Sequence, residues 1–299
     1  MTRRGMWARH FPGGGRGRTK RRAVALAAVA AALLPTAACD SSGDPAVPRP
    51  DHIVVVVEEN RSYQSIVGNP EAPYLNELAR WGASLTEFTA ITHPSQPNYL
   101  ALFSGSTQGV SDNSCPHTFT ARNLGSQLLD ADLTFAGYSQ GMPHEGFTDC
   151  TSGAYARRHN PWVNFSNLPA SVNRPWSAFP KDYADLPTVS FVIPDVENDM
   201  HDGSVRRADT WLRDNLGGYA RWALSHNSLL VVTWDEDEDG ASKANQIPTF
   251  LVGEQVRPGD YDEPNNLYGL LRTFLDAFGL PTLDHSSTAR PIDVWRDGG

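Results

Sequence analysis

The chain has 299 residues, with 25 Lys or Arg against 34 Asp or Glu and a formal net charge of −9. That length suits one large α/β domain or two small ones. The first 38 residues hold eight of the basic residues and no acid, so the remainder carries 17 basic against 34 acidic residues, a net 17 − 34 = −17. Such a surface repels nucleic acid and anionic lipid at long range, which excludes a general polyanion binder. A site handling phosphate would need local cations, and this argues for a metal ion.

Along the chain, the basic N-terminus leads into Ala23–Leu34, an apolar run of twelve residues, and then Thr36-Ala37-Ala38. A basic region, a short apolar core and small residues read as a secretory signal peptide over residues 1–38. Twelve apolar residues are too few for a bilayer span, which takes about 20. Cys39 follows in the manner of a bacterial lipobox, so the mature protein is expected to be exported, as a cell-surface lipoprotein or a secreted protein. Membrane contact is then expected only through that lipid. Residues 39–50 read as a polar, Pro-rich tether with nothing to bury. With Cys39 acylated, Cys115 and Cys150 are left as an even pair. In an oxidising compartment a disulfide between them is expected, worth roughly 3–4 kcal/mol by loop closure; the alternative is two buried thiols.

From Asp51 apolar runs alternate with amphipathic stretches. Strands are predicted at Ile53–Val57, Thr134–Tyr138, Thr188–Ile193, Leu229–Thr233 and Thr249–Val252. Helices are predicted at Ala72–Trp81, Gln96–Phe103, Asn123–Asp130, Val205–Ser225 and Leu267–Phe278. This alternation implies a single α/β domain over residues 51–299, with a mostly parallel sheet covered by helices on both faces. Residues 111–179, rich in Pro, Gly, Asn and aromatics, read as long loops over the sheet edge.

Three of the apolar strands end in chemistry. Ile53–Val57 runs into Glu58, Glu59 and Asn60. Thr188–Ile193 runs into "DVENDMHDG", which carries Asp199, His201 and Asp202. Leu229–Thr233 runs into five consecutive acids, Asp235 to Asp239. Two unit charges about 4 Å apart repel by about 1 kcal/mol in water and about 4 at an effective dielectric of 20. One acidic run alone is ordinarily a solvated loop. Three delivered to the carboxyl edge of one sheet, where α/β proteins bind ligands, suggest a metal centre. By alternation Glu58 points away from Glu59 and supports the site indirectly at most. Asp237, Glu238 and Asp239 are expected in solvent.

Ser95 follows Pro94 and begins an amphipathic run, so it sits at a helix start, where free N–H groups favour an anion. An ordinary N-cap serine is the alternative. Asn98, three residues on, could aim its amide at the same anion.

The segments "VVVVEENRSY", "THPSQPNYLALFSG", "YARRHNPWVNF", "SFVIPDVENDMHDGS" and "VVTWDEDEDG" occur in the order and wording of the phosphoesterase family. That family includes bacterial acid phosphatases and phospholipases C, with a fold related to alkaline phosphatase. The resemblance covers nearly all of the chain beyond the tether. It implies that Glu59, Asn60, Asp235 and Glu236 are metal ligands, and that Ser95 is a nucleophile that becomes phosphoserine. It also implies that His159 and His201 contact phosphate or move protons, with Asp199 and Asp202 beside them.

On this reading Ser95, His201 and Asp202 are catalytic, and Asn98, His159 and Asp199 bind substrate. The expected activity is metal-dependent hydrolysis of phosphomonoesters, phosphatidylinositol 3-phosphate among those the family implies. The oxygen-rich set suits Ca²⁺, Mg²⁺ or Mn²⁺, and the histidines admit Zn²⁺. A phospholipase C-type phosphodiesterase is the nearest alternative. A non-catalytic lipoprotein that binds phosphate compounds is an alternative of another class. One departure from the family pattern stands out: Leu267-Tyr268 replaces a His-Tyr pair, which puts a two-metal mechanism in doubt. His93 is read as structural or as a base with equal weight.

Overall fold

The computed structural model describes residues 46–238 and 244–296. The leader, Cys39 and Asp239 lie outside the described residues. The strands are β1 His52–Glu58, β2 Ala83–Leu85, β3 Phe88–Thr89, β4 Phe135–Ser139, β5 Thr151–Ser152, β6 Tyr155–Ala156, β7 Asn173–Pro175, β8 Val189–Ile193, β9 Ser228–Trp234, β10 Thr249–Gly253, β11 Gly259–Tyr261 and β12 Asn265–Asn266. The helices are α1 Tyr63–Ile66, α2 Pro73–Trp81, α3 Ser95–Ser104, α4 Leu124–Asp130, α5 Val205–Ala223 and α6 Leu267–Ala277. Eight strands form one sheet in the order β11-β2-β10-β9-β1-β8-β4-β7. Within it β10 alone runs antiparallel to its neighbours β9 and β2.

The centre of the sheet follows from composition. Ile53–Val57 is fully buried and lies between β8 and β9, with Val55 opposite Phe191 on one side and Val231 on the other. A strand flanked by two parallel strands and covered on both faces has no polar side to show, hence its unbroken valines. Each of these side chains contributes roughly 1.5–3 kcal/mol by leaving water.

Alternation sorts the two faces. Phe103 of α3 packs on Phe135 and Phe191, fixing the α3 face. On the other face Tyr138 packs on Phe179, which stacks on Trp176, which in turn meets Trp211 of α5. Asn123 caps α4 reciprocally with Ser126, and Ser204 caps α5 by accepting from the Arg207 N–H.

Described residues ahead of Asp51 already join the core. Val47 packs against the core, and the Arg49 guanidinium lies 5.6 Å from the Phe278 ring centroid. The last residues of the expected tether therefore do bury surface. Cys115 and Cys150 are bridged, as expected. Among the described residues no helix is long and apolar enough to cross a membrane.

Candidate active site

The carboxyl ends of β1, β8 and β9 are laced together by their backbones. The Glu59 N–H donates to the Asp199 carbonyl at 2.7 Å, and the Asp235 N–H to the Glu58 carbonyl at 3.1 Å. Asn60 takes the left-handed conformation that asparagine tolerates. Its N–H donates to Asp235 Oδ1 at 3.1 Å and its side-chain amide to Glu59 Oε2 at 3.0 Å.

Ser95 is the first residue of α3, as its place after Pro94 predicts, and is buried. Its hydroxyl lies 3.1 Å from Glu236 Oε1 and 3.3 Å from Glu59 Oε2. One helical turn on, the Tyr99 hydroxyl donates to Glu59 Oε1 at 2.6 Å. His93, just ahead of the helix, sets Nδ1 2.8 Å from Glu236 Oε2 and Nε2 3.2 Å from Asp237 Oδ1.

His159 comes from the long loops and stacks on Tyr99, centroids 5.3 Å apart. Its Nε2 is 3.1 Å from Glu59 Oε1 and its Nδ1 3.3 Å from Asp199 Oδ2. Beside it, His201 has Nδ1 2.7 Å from Asp202 Oδ1, and Arg158 Nη2 lies 3.0 Å from His201 Nε2. Guanidinium only donates, so Nε2 is the acceptor and Nδ1 carries the hydrogen toward Asp202. The structure thus gathers Ser95, Glu59, Asn60, Asp199, His159, His201, Asp202, Asp235 and Glu236 at one sheet edge.

The carboxyls of the site are buried and crowded together. Burial, then the Asp235 and Asp199 charges, hold Glu59 well above the usual carboxylate range. Burial and the Glu236 charge push Asp235 up to about 8, and burial brings Asp199 to about 7. Burial, then the Arg158 charge, depresses His159 well below its ordinary value, leaving it neutral, the form that can ligate. Asp235 Oδ2 and Asp199 Oδ2 are buried without a hydrogen-bond partner. Glu59, His159 and His201 each offer one donor atom, all within 4.8 Å of one another. Oxygen and imidazole donors of this kind fit a divalent cation, and buried carboxylates kept near one another are what such a cation compensates.

Several expectations need correction. Asn98 does not aim its amide at an anion: its oxygen accepts from the Ile91 and Thr92 N–H groups at 3.0 Å, and its nitrogen donates to the Thr92 carbonyl at 2.8 Å. It shapes the turn that presents Ser95. Asp237 is fully buried rather than solvated, and its N–H donates to Asn245 Oδ1 at 2.8 Å. Glu238 is also engaged, accepting from the Ser62 N–H at 2.6 Å and from the Ser65 hydroxyl. Burial alone would raise Glu238, but these bonds more than offset it and hold the group low. Glu58 is fully buried, held well above the usual carboxylate range by burial and then by the Asp199 and Asp209 charges, and neither of its oxygens finds a hydrogen-bond partner. Leu267 is buried and apolar at the start of α6, so this position offers no ligand.

Sequence reasoning passed over Arg158 and Tyr99. Both lie inside the quoted motifs, adjacent to His159 and four residues after Ser95, and helical spacing from Ser95 could have pointed to Tyr99.

The fold is that of the alkaline phosphatase superfamily. A superfamily member from Vibrio parahaemolyticus superposes with a TM-score of 0.55 at 15% identity, covering 83% of this chain and 72% of that one. The lipoteichoic acid synthase LtaP from Listeria monocytogenes superposes with a TM-score of 0.57 at 12% identity, over 80% of this chain and 74% of that one. The chain belongs to the Phosphoesterase family, which residues 69–281 match. It is 53% identical over 256 residues to the phosphatidylinositol-3-phosphatase of Mycobacterium tuberculosis, covering 84% of this chain and 85% of that protein. It is 29% identical to the phosphate-repressible acid phosphatase of Penicillium chrysogenum, over 70% of this chain but only 55% of that protein.

Proposed function

We propose that this chain is an exported, metal-dependent acid phosphatase that hydrolyses phosphomonoesters through a phosphoserine at Ser95. The observation that carries the reading is the position of the Ser95 hydroxyl between Glu236 and Glu59 at the start of a helix. A lone serine hydroxyl is a weak nucleophile; here the helix start favours negative charge on its oxygen, and Glu236 Oε1 lies within hydrogen-bond reach at 3.1 Å.

A divalent cation held by Glu59, Asn60, Asp235 and Glu236 would polarise the phosphoryl oxygens and balance the charge developing on phosphorus. Ser95 Oγ forms the new bond to phosphorus as the ester P–O bond breaks, and the leaving alcohol takes a proton. We assign that proton transfer to His201, whose Nδ1 lies 2.7 Å from Asp202 Oδ1. To act so, Nε2 must exchange the Arg158 contact for a proton. Water then attacks the phosphoserine, releasing inorganic phosphate and restoring Ser95. His159 and Asp199, buried beside Glu59, are assigned to holding the phosphate end of the substrate, His159 being also within reach of a metal ion shared with Glu59 and His201.

The name of the mycobacterial relative makes phosphatidylinositol 3-phosphate a substrate to test. Export rests on the N-terminal leader, and anchoring on Cys39; Cys39→Ser should release the protein into the medium. Phosphate release from p-nitrophenyl phosphate against bis-p-nitrophenyl phosphate, before and after chelation and metal return, tests the reading. It predicts that the monoester is preferred and that activity disappears on chelation. Preference for the diester would favour a phospholipase C-type enzyme, and no turnover of either would favour a binding protein.

A further inference from the structure

The geometry points to Tyr99 as a positioning residue of the metal centre, which holds Glu59 so that Oε2 faces the cation and steadies the His159 ring. This rests on the reading of Glu59 as a ligand. Tyr99 and Ser95 are one turn apart on α3 and therefore share a face. Between them they engage both oxygens of one carboxylate: the Tyr99 hydroxyl donates to Oε1 at 2.6 Å, and the Ser95 hydroxyl lies 3.3 Å from Oε2. Oε1 is thus held between Tyr99 and His159, and Oε2 is turned to the side of Ser95, where it also accepts from the Asn60 side-chain amide at 3.0 Å.

The ring of Tyr99 has a second partner. It lies parallel to His159, with 9° between planes and 5.3 Å between centroids. Tyr99 is 1% exposed, so phenylalanine would fill its space and keep the stack. What tyrosine adds is one buried donor directed at a buried carboxylate. Second partners of this kind commonly set the affinity of a metal centre as strongly as geometry does, by roughly 10–100-fold.

Mn²⁺ titration of the purified, metal-free protein tests this, with binding read calorimetrically beside apo melting temperatures. Tyr99→Phe should weaken the Mn²⁺ Kd by roughly 10–100-fold, and saturating Mn²⁺ should restore most of kcat. Merely structural damage would leave kcat low at saturation. A wild-type Kd in Tyr99→Phe overturns the proposal, whatever its melting temperature. Glu59→Gln in the same titration separates the two readings. If it binds Mn²⁺ like wild type, Glu59 is not a ligand and the metal centre is wrongly assigned. If it loses Mn²⁺ while Tyr99→Phe does not, only the role of Tyr99 fails.

Discussion

Asn60 and Asp235, 175 residues apart in sequence, meet where the Asn60 N–H donates to Asp235 Oδ1 at 3.1 Å. The other oxygen, Oδ2, is buried without a hydrogen-bond partner. A buried carboxyl fixed on one side by a backbone N–H, with Ser95 and Glu236 beside it, is what a cation would compensate. Asp235→Asn and Glu236→Gln should therefore lose bound metal and nearly all turnover, read by metal analysis of purified protein and p-nitrophenyl phosphate hydrolysis. Variants that keep both would return the acidic run to an ordinary structural role.

Asp237 separates from the outer acids because it is buried against His93. Asp237→Asn should lower kcat by more than about tenfold, a barrier change of about 1.4 kcal/mol, since His93 links it to Glu236. Glu238→Gln should stay within about tenfold in kcat. Its cost should fall on stability, about 1–3 kcal/mol from weakened bonds to Ser62 and Ser65. Equal, mild effects at both positions would contradict the distinction.

The metal-free protein should lose stability as pH rises from about 4 to about 8, and level off above that. Asp199 and Asp235 titrate at about 7 and about 8 in the folded chain, against about 3.9 when unfolded. In that window the unfolded chain holds fewer protons than the folded one, so unfolding free energy falls as pH rises. His159, depressed below its ordinary 6.5, works the other way below about 6.5, where only the unfolded chain protonates it, and adds nothing well above that; the two carboxyls together outweigh it. Melting temperatures in chelator should decline across the window, and saturating divalent metal should flatten the decline. A flat profile in chelator would contradict the burial of these carboxyls.

The Cys115–Cys150 bridge closes a loop across a sequence separation of 35. Removing it through Cys115→Ser should cost roughly 3–4 kcal/mol, measured by denaturant unfolding. Two alkylatable thiols in unreduced folded protein would refute the bridge.

Much of this was legible in the sequence because apolar runs are unambiguous when they end in charge. All five predicted strands and all five predicted helices form, with ends moving by a residue or two. The short strands β2, β7 and β11 were not legible, since three residues carry no period. The strand ends announced Glu59 and Asp235 for the same reason that the valines announced the sheet. The role of Asn98 was misread because an amide beside a serine looks identical whether it serves a ligand or a turn. Asp237 was misread because solvation is the ordinary fate of a charge run, and only the tertiary position of His93 reverses it.

The central claim is that phosphorus passes through Ser95. Acid quenching during turnover of a phosphomonoester, followed by peptide mass analysis, tests it most directly. A phosphoryl group should be found on Ser95 in the wild-type protein. In Ser95→Ala it should be absent, with turnover reduced by at least about a thousandfold and the fold intact. Steady turnover with Ser95 never phosphorylated, or near-normal activity in Ser95→Ala, would contradict the account.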